Sequence, residues 1–172
     1  PTGAKLSGQE GMLLNNILAW RTTQVPGPSS ILMPREIFAE VGGYDTNLST
    51  AADMDFFLRI AAKHKIGRVD KITWQYRMHS ANMHKNIAVM EKDVLHVFTK
   101  ARAAELFYSK AFERKCYANA YITLAACWLG DGKKFFNAAY FTGRALAKDY
   151  TLFYKLPLRL LLKLAKEKMQ KT

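Results

Sequence analysis

The sequence predicts an α/β region that ends near residue 85 and an α-helical region over residues 86–172. Short apolar segments of strand length alternate with helical patterns before this point, and strand signals fade from Asn86 onward. The 172 residues and the hydrophobic fraction of 49% are those of a globular protein that buries a core. We therefore expect one or two compact units, with residues 1–85 and 86–172 as the division.

The α/β part begins with a predicted helix over residues 9–21, which has one apolar side. A Pro- and Gly-rich break follows, and the apolar residues 29–33 are predicted to form a short buried strand. Pro34 fits the first turn of a brief helix that reaches Val41. Gly42 and Gly43 end that helix, because glycine adopts the positive φ angles of a sharp exit.

The next predicted elements are a helix over residues 50–63 and two short strands within residues 65–78. The helix presents an apolar face, and Asp55 and Arg59 share another face at i,i+4 spacing. Beyond Asn86 the pattern predicts four helices, near residues 87–112, 115–129, 134–148 and 157–170.

The net charge of +12 is concentrated in the second part of the chain. Residues 1–85 carry 10 Lys/Arg and 7 Asp/Glu, whereas residues 86–172 carry 16 and 7. Such a field favours anionic lipids, phosphorylated substrates or nucleic acid, and charge alone does not choose among them. No secretory signal or bilayer-spanning apolar run is present, so the expected location is the cytoplasm. Cys116 and Cys127 lie among apolar neighbours and are interpreted as reduced core thiols.

Three short motifs follow one another between residues 28 and 82. They are Gly42-Gly43-Tyr44-Asp45, the stretch Ala52-Asp53-Met54-Asp55-Phe56-Phe57-Leu58-Arg59, and Tyr76-Arg77-Met78-His79. In this order they resemble the acceptor side of a family-2 glycosyltransferase. The resemblance implies the C-terminal part of a GT-A type (Rossmann-like) catalytic domain, a nucleotide-sugar donor, a glycan or lipid-linked acceptor, and inverting transfer in the synthesis of a bacterial surface glycan.

Asp53 is the candidate catalytic base, because it matches the second residue of the family's Glu-Asp pair at a helix start. The first residue of that pair is Ala52 here, which is a departure from the family pattern. The alternative is structural: Thr50 and Asp53 have the spacing of a capping box, in which the carboxylate binds N–H groups of the first turn. Both interpretations stay open from the residues alone.

The resemblance places Asp55, Gly42 and Gly43 at the acceptor pocket. The alternatives are an exposed ion pair between Asp55 and Arg59, and a purely helix-terminating role for the two glycines.

His79 matches a metal-holding histidine of the family, and Arg77 is placed at the donor diphosphate. The implied cofactor is a divalent metal, Mn²⁺ or Mg²⁺, and an imidazole ligand favours Mn²⁺ over Mg²⁺. The alternatives are an ordinary polar histidine and an arginine that pairs with a surface acid.

The family's D-x-D metal motif is absent before Pro28, and Asp53-Met54-Asp55 is in the wrong position to replace it. We therefore expect the chain to be the C-terminal part of a longer enzyme, and inactive alone.

Residues 155–168 have the pattern of a basic amphipathic helix, which suits either an anionic membrane surface on the inner face of the cell membrane or packing with solvated lysines.

The alternative to an enzyme is a non-catalytic helical interaction or membrane-adaptor module. Nucleic-acid binding is not expected, because no binding motif is recognised and the aromatic residues follow apolar helix faces.

Overall fold

A computed structural model describes residues 10–20, 27–69, 71 and 86–154, and the account below is confined to them. This part of the chain contains a short 3-10 helix (Pro28–Ser30), six α-helices, and three further helical residues, 152–154, at the end of the described range. The α-helices are α1 (Leu14–Leu18), α2 (Arg35–Val41), α3 (Ala52–Ala61), α4 (Ile87–Ala103), α5 (Lys110–Leu129) and α6 (Phe135–Lys148).

The predicted α/β, GT-A (Rossmann-like) fold class is wrong for the described residues, because they contain no β-strand and no sheet. Their only paired extended backbone is an isolated antiparallel bridge between Gly11 and Ile66. Each of these two residues donates its N–H to the other's carbonyl oxygen, at 2.8 and 2.9 Å. One bridge does not propagate into a ladder, so the arrangement is helical.

The strand predicted at residues 29–33 fails for a local reason. Pro28 opens the 3-10 turn, and the Ser30 hydroxyl donates to the Gly27 carbonyl at 2.7 Å. Leu32 is 99% exposed, so the apolar run does not lie within a sheet. Residues 65–69 contribute only the bridge at Ile66, and the rest of the second predicted strand pair lies outside the described residues.

The later helices are largely where the periodicity predicts them, whereas the helix predicted over residues 9–21 is observed only as α1, Leu14–Leu18. α2 starts directly after Pro34 and ends at Val41, and α6 matches residues 134–148 to within one residue. α4 ends earlier than predicted and α5 begins earlier, because Ser109 caps α5 by accepting the Phe112 N–H at 3.1 Å. The helix predicted at 157–170 lies outside the described residues, and the division at 85/86 remains a prediction.

The main core is formed where α3, α4, α5 and α6 meet, with α1 packed on one side. Phe98 of α4 lies at its centre, fully buried, with its ring 5.0 Å from Tyr117 and 6.4 Å from Trp20. α5 and α6 form an antiparallel pair with the most extensive contact among the helices. Cys116 lies in this core and Cys127 at its edge, as predicted, and neither forms a disulfide within the described residues.

A second, smaller apolar cluster lies on the other side of α3. It contains Val41, Phe56, Phe57 and Ile60. Because α3 is packed on two sides, it buries more of its circumference than a surface helix does. In the described part of the chain, no helix is both long and apolar enough to cross a membrane.

Candidate active site

The candidate site is built around the first turn of α3 and the loop that precedes it. α2 ends at Gly42 and Gly43, which have φ angles of +80° and +67°. The Gly43 N–H donates to the Phe38 carbonyl and the Gly42 N–H to the Ala39 carbonyl, both at 3.2 Å. This pair of bonds is a Schellman motif, and it confirms the predicted helix-terminating role of the glycines.

The two glycines differ in the space around them. A Cβ on Gly42 would meet nothing within 4 Å, whereas one on Gly43 would lie 3.2 Å from the Phe38 ring. Gly43 therefore permits a close approach of the loop to α2 as well as the left-handed turn.

Asp53 is the second residue of α3, at the helix start where the sequence predicts it. Its Oδ1 accepts the Met54 N–H at 2.7 Å. The side chain is half-buried, and burial raises the pKa of Asp53 against the lowering effect of the N–H groups of Met54 and Asp53 itself. Among the described residues, these two backbone N–H groups are the hydrogen-bond donors to the carboxylate, and no cation is paired with it.

The predicted capping box is wrong in its first half. The residue at the N-cap of α3 is Ala51, which provides no side-chain cap. Thr50 instead donates its hydroxyl to Asp93 Oδ2 at 3.2 Å. The second half is partly right, since Asp53 does bind one N–H of the first turn.

Asp93 of α4 binds the backbone that leads into α3. Its Oδ2 accepts the N–H groups of Ser49 at 2.8 Å and Thr50 at 2.7 Å. Asp93 is buried, and burial alone would raise its pKa, but the N–H donors of Ser49, Thr50 and Ala51 hold the pKa of Asp93 below its ordinary value. The entry into α3 is therefore fixed by a residue 44 positions downstream of Ser49.

Asp55 lies in an ion-pair network rather than at the surface. Its Oδ2 accepts from Arg59 Nε at 3.0 Å, as the i,i+4 spacing predicts. Its Oδ1 lies 2.6 Å from Lys100 Nζ, and the side chain is buried. The ion pair of Asp55 with Arg59 forms as expected, but the expectation that it is exposed is wrong. Asp55 is buried because α3 is packed on both sides, and α4 supplies a second cation.

The same network holds the Gly42–Asp45 loop. Arg59 donates from Nη1 to the Val41 carbonyl and from Nη2 to the Gly43 carbonyl at 2.6 Å. Lys100 Nζ also lies 2.7 Å from Asp45 Oδ2. Asp45 accepts hydrogen bonds from Lys100 and from the Asn47 N–H, and these bonds lower the pKa of Asp45 to about 2. Loop and helix start are therefore fixed to each other through α3 and α4.

Tyr44 completes the surroundings of Asp53. Its ring packs 4.4 Å from the Phe56 ring and is partly exposed. Burial, and then the charge of Asp53, raise the pKa of the Tyr44 phenol. This charge effect indicates that the phenol and the carboxylate are neighbours at a partly open surface.

The predicted metal and diphosphate residues, His79 and Arg77, lie outside the described residues, and their roles remain predictions. Within the described ranges, no group of three His, Cys, Asp or Glu side chains is arranged to hold a metal ion. Asp55 is unsuited as a ligand because cations already occupy both of its oxygens. The described residues alone thus do not fit a metal, and we derive no step through one.

Asp93 and Lys100 are the site residues that sequence reasoning missed. They are seven residues apart on α4, hence on one face of that helix, and both bind groups of the loop and α3. The sequence signal that could have indicated them is the seven-residue spacing of Asp93 and Lys100. Both lie in the segment that the sequence analysis assigns to the separate helical region, residues 86–172.

Comparison with protein families supports the resemblance. A model of the family described as glycosyltransferase like family 2 matches residues 8–124, more than half of the chain. The matched range includes Gly42, Asp53 and Asp93, and it continues through α4 into α5. No curated protein and no solved structure matches the chain.

Proposed function

The chain belongs to glycosyltransferase-like family 2, and on that premise we propose that Asp53 is the base of an inverting sugar transfer. The donor is a nucleotide sugar, and the acceptor is a hydroxyl of a glycan or a lipid-linked sugar in surface-polysaccharide synthesis. The observation that carries the proposal is the half-buried Asp53 carboxylate, which lies beside Tyr44 of the Gly42–Asp45 loop and is paired with no cation of the described residues.

The chemistry requires one proton transfer and one displacement. As the acceptor oxygen bonds to the anomeric carbon, its proton passes to Asp53 Oδ2, and the bond from the anomeric carbon to the diphosphate oxygen breaks. The raised pKa of Asp53 supports this role, because a more basic carboxylate takes the proton more readily. The bond from the Met54 N–H to Oδ1 holds the carboxylate in one orientation.

The remaining roles are part of the same proposal. Arg77 assists the departing diphosphate, and Asp55, Gly42 and Gly43 shape the acceptor side. Support for the last three comes from the Arg59 and Lys100 contacts, which tie the glycine loop to α3. The proposed location is the cytoplasmic side of the cell membrane, where lipid-linked acceptors are accessible.

The test is Asp53→Asn in the natural protein, assayed for sugar transfer and for binding of the nucleotide-sugar donor. An asparagine keeps an oxygen for the Met54 N–H but has no basicity, so it separates the base from the helix-start role. We expect transfer to fall by about 10²-fold or more while donor binding stays near the parent value.

The control for this substitution is Asp131→Asn, which changes an exposed carboxylate on the turn between α5 and α6. It should leave both transfer and donor binding unchanged. Parent-like turnover by Asp53→Asn would return Asp53 to a structural role.

A second candidate is a non-catalytic interaction module, which the helical character of the described residues favours. Such a module would neither bind nor hydrolyse nucleotide sugars with Mn²⁺ present. Donor binding measured by calorimetry on the natural protein separates the two candidates, because only the transferase releases heat on titration with a nucleotide sugar.

A further inference from the structure

The outer side of α6 is uncharged, which is unusual for the exposed side of a surface helix. The inner side packs on α5 through Ala138, Phe141 and Ala145. At 100° per residue the exposed positions of the opposite side fall within an arc of about 140°. They are Phe135, Phe136, Ala139, Tyr140, Gly143 and Ala147. Phe135 and Phe136 are 69% and 85% exposed.

The turn that follows α6 extends this surface. Tyr150, Phe153 and Tyr154 are exposed and line a shallow apolar hollow together with Leu146. Leu146 lies in the same row of α6 as Phe135, eleven residues earlier, so the helix stripe runs into the hollow. We call the exposed positions of α6 and the residues of the hollow the aromatic face.

Cations lie at the edges of the aromatic face. Lys133 and Lys134 directly precede Phe135, and Arg144 and Lys148 lie on one flank of α6. Arg144 is held there by the Tyr121 hydroxyl, which accepts from its Nη2 at 2.8 Å. Residues 133–172 contain 10 Lys/Arg and 2 Asp/Glu. An occupant of this surface must therefore be apolar where it meets the rings and anionic around them.

These charges decide between occupants. A second copy would bring another net charge of +12 to the same surface. Residues 155–172 of this chain carry six Lys/Arg and one Glu, so they too would be repelled by the flanking cations. A nucleic acid needs cations along its phosphates, and the face itself has none.

We propose that the aromatic face docks on the surface of an anionic phospholipid bilayer. Phe and Tyr rings enter the boundary between headgroups and acyl chains. Lys134, Arg144 and Lys148 lie over rings of α5, and together with Lys133 they give this side of the molecule the positive charge that attracts the lipid phosphates. The inference does not depend on sugar transfer, because no residue of the face belongs to α3 or to the Gly42–Asp45 loop.

The test is flotation of the full chain with vesicles of equal parts phosphatidylglycerol and phosphatidylcholine, and with vesicles of phosphatidylcholine alone. We expect binding to the anionic vesicles only, and a decrease in partitioning of about tenfold or more for Phe135→Ser/Phe136→Ser. Leu32→Ser is the matched control, since it removes an apolar side chain that is 99% exposed elsewhere, and it should bind like the parent. Parent-like binding by the double variant would overturn the proposal.

A second measurement reports on the face itself. In Phe136→Trp, the added emission beyond that of the three native tryptophans should shift to shorter wavelength with anionic vesicles and not with neutral ones. A short-wavelength signal without lipid would overturn the proposal. If sedimentation shows that the lipid-free protein is a dimer, this signal would identify a second copy as the occupant of the aromatic face. If sedimentation shows a monomer, it would identify residues 155–172 as the occupant.

Discussion

Asp53 and Asp55 are two positions apart on α3, yet their carboxylates have different surroundings. A helix turns about 100° per residue, so the two side chains leave α3 in nearly opposite directions. Asp55 points to the cations Arg59 and Lys100, whereas Asp53 lies near the Tyr44 phenol. The cations neutralise Asp55, whereas no cation of the described residues is paired with Asp53.

The sequence predicts the ion pair of Asp55 with Arg59 correctly, but it does not distinguish the surroundings of Asp53 from those of Asp55. The i,i+4 spacing predicts the bond from Arg59 to Asp55, because it depends on helix geometry alone. Lys100 is 45 positions from Asp55, so no local pattern contains it. The exposure of Asp55 was mistaken for the same reason, since burial is set by helices from elsewhere in the chain.

Asp45 gives a prediction about pH. Its pKa is held at about 2 by Lys100 and Asn47, below the ordinary 3.8. Because the pKa of Asp45 is lower in the folded state, its ionised carboxylate stabilises the fold at pH values above 3.8. This stabilisation is lost as the pH falls from about 4 to about 2. Asp45→Asn should therefore lower Tm at neutral pH, and the difference from the parent should shrink over this acidic window.

The measurement is the Tm of both proteins by differential scanning fluorimetry across the acidic range. Lys63→Met is the control, because it removes an exposed cation whose partner is Glu40 and leaves Asp45 untouched. A Tm difference for Asp45→Asn that does not change with pH would contradict the ionic origin.

At the scale of elements, the start of α3 depends on α4. Asp93 accepts the N–H groups of Ser49 and Thr50 and the Thr50 hydroxyl, and it so holds the two residues that precede the N-cap residue Ala51. The capping-box pattern of Thr50 and Asp53 was misleading because Thr50 has a stronger acceptor in Asp93. Helix-start patterns are local, and a buried carboxylate from another helix overrides them.

Asp93→Ala should destabilise the protein by about 2–4 kcal/mol, because it leaves buried N–H groups without an acceptor. Urea unfolding measures the loss, and hydrogen exchange should show faster exchange in the first turn of α3 than in the middle of α5. Thr50→Val is the control, since it removes only the hydroxyl bond and should cost about 1 kcal/mol or less. An equal loss of unfolding free energy in the two variants would show that the N–H bonds from Ser49 and Thr50 to Asp93 contribute little to stability.

The boundaries of the helices were predictable where the signal is local. Pro34 and Gly42 bracket α2, and Ser109 caps α5, although its cap went unrecognised in the sequence. The strand assignments failed because a short apolar run is compatible with several structures, and burial decides among them. Leu32, at 99% exposure, illustrates that an apolar residue does not establish a core position.

At the scale of the whole molecule, Phe98 connects elements from different parts of the described chain. It is fully buried on α4, and its ring lies near Trp20 after α1, Phe107 before α5 and Tyr117 on α5. Residues on both sides of the predicted division at 85/86 thus contribute to one apolar cluster.

Phe98→Ala should reduce the free energy of unfolding by about 3–5 kcal/mol, because it removes a ring from a packed interior. Phe136→Ala makes the same chemical change at 85% exposure and should remain within about 0.5 kcal/mol of the parent without lipid. Chemical unfolding followed by tryptophan fluorescence and by circular dichroism compares them. Similar costs for both would mean that Phe98 is not a core residue.

Because α4 binds the segment from Asp45 to Thr50 at both ends, it restricts the length of that segment. Lys100 holds Asp45 and Asp93 holds Ser49 and Thr50, so one rigid helix fixes both ends of a short span of backbone. We therefore expect replacement of the exposed Thr46 side chain to be tolerated more readily than a change in the number of residues. A single inserted or deleted residue there would move one anchor out of reach and shift Asp53 with it.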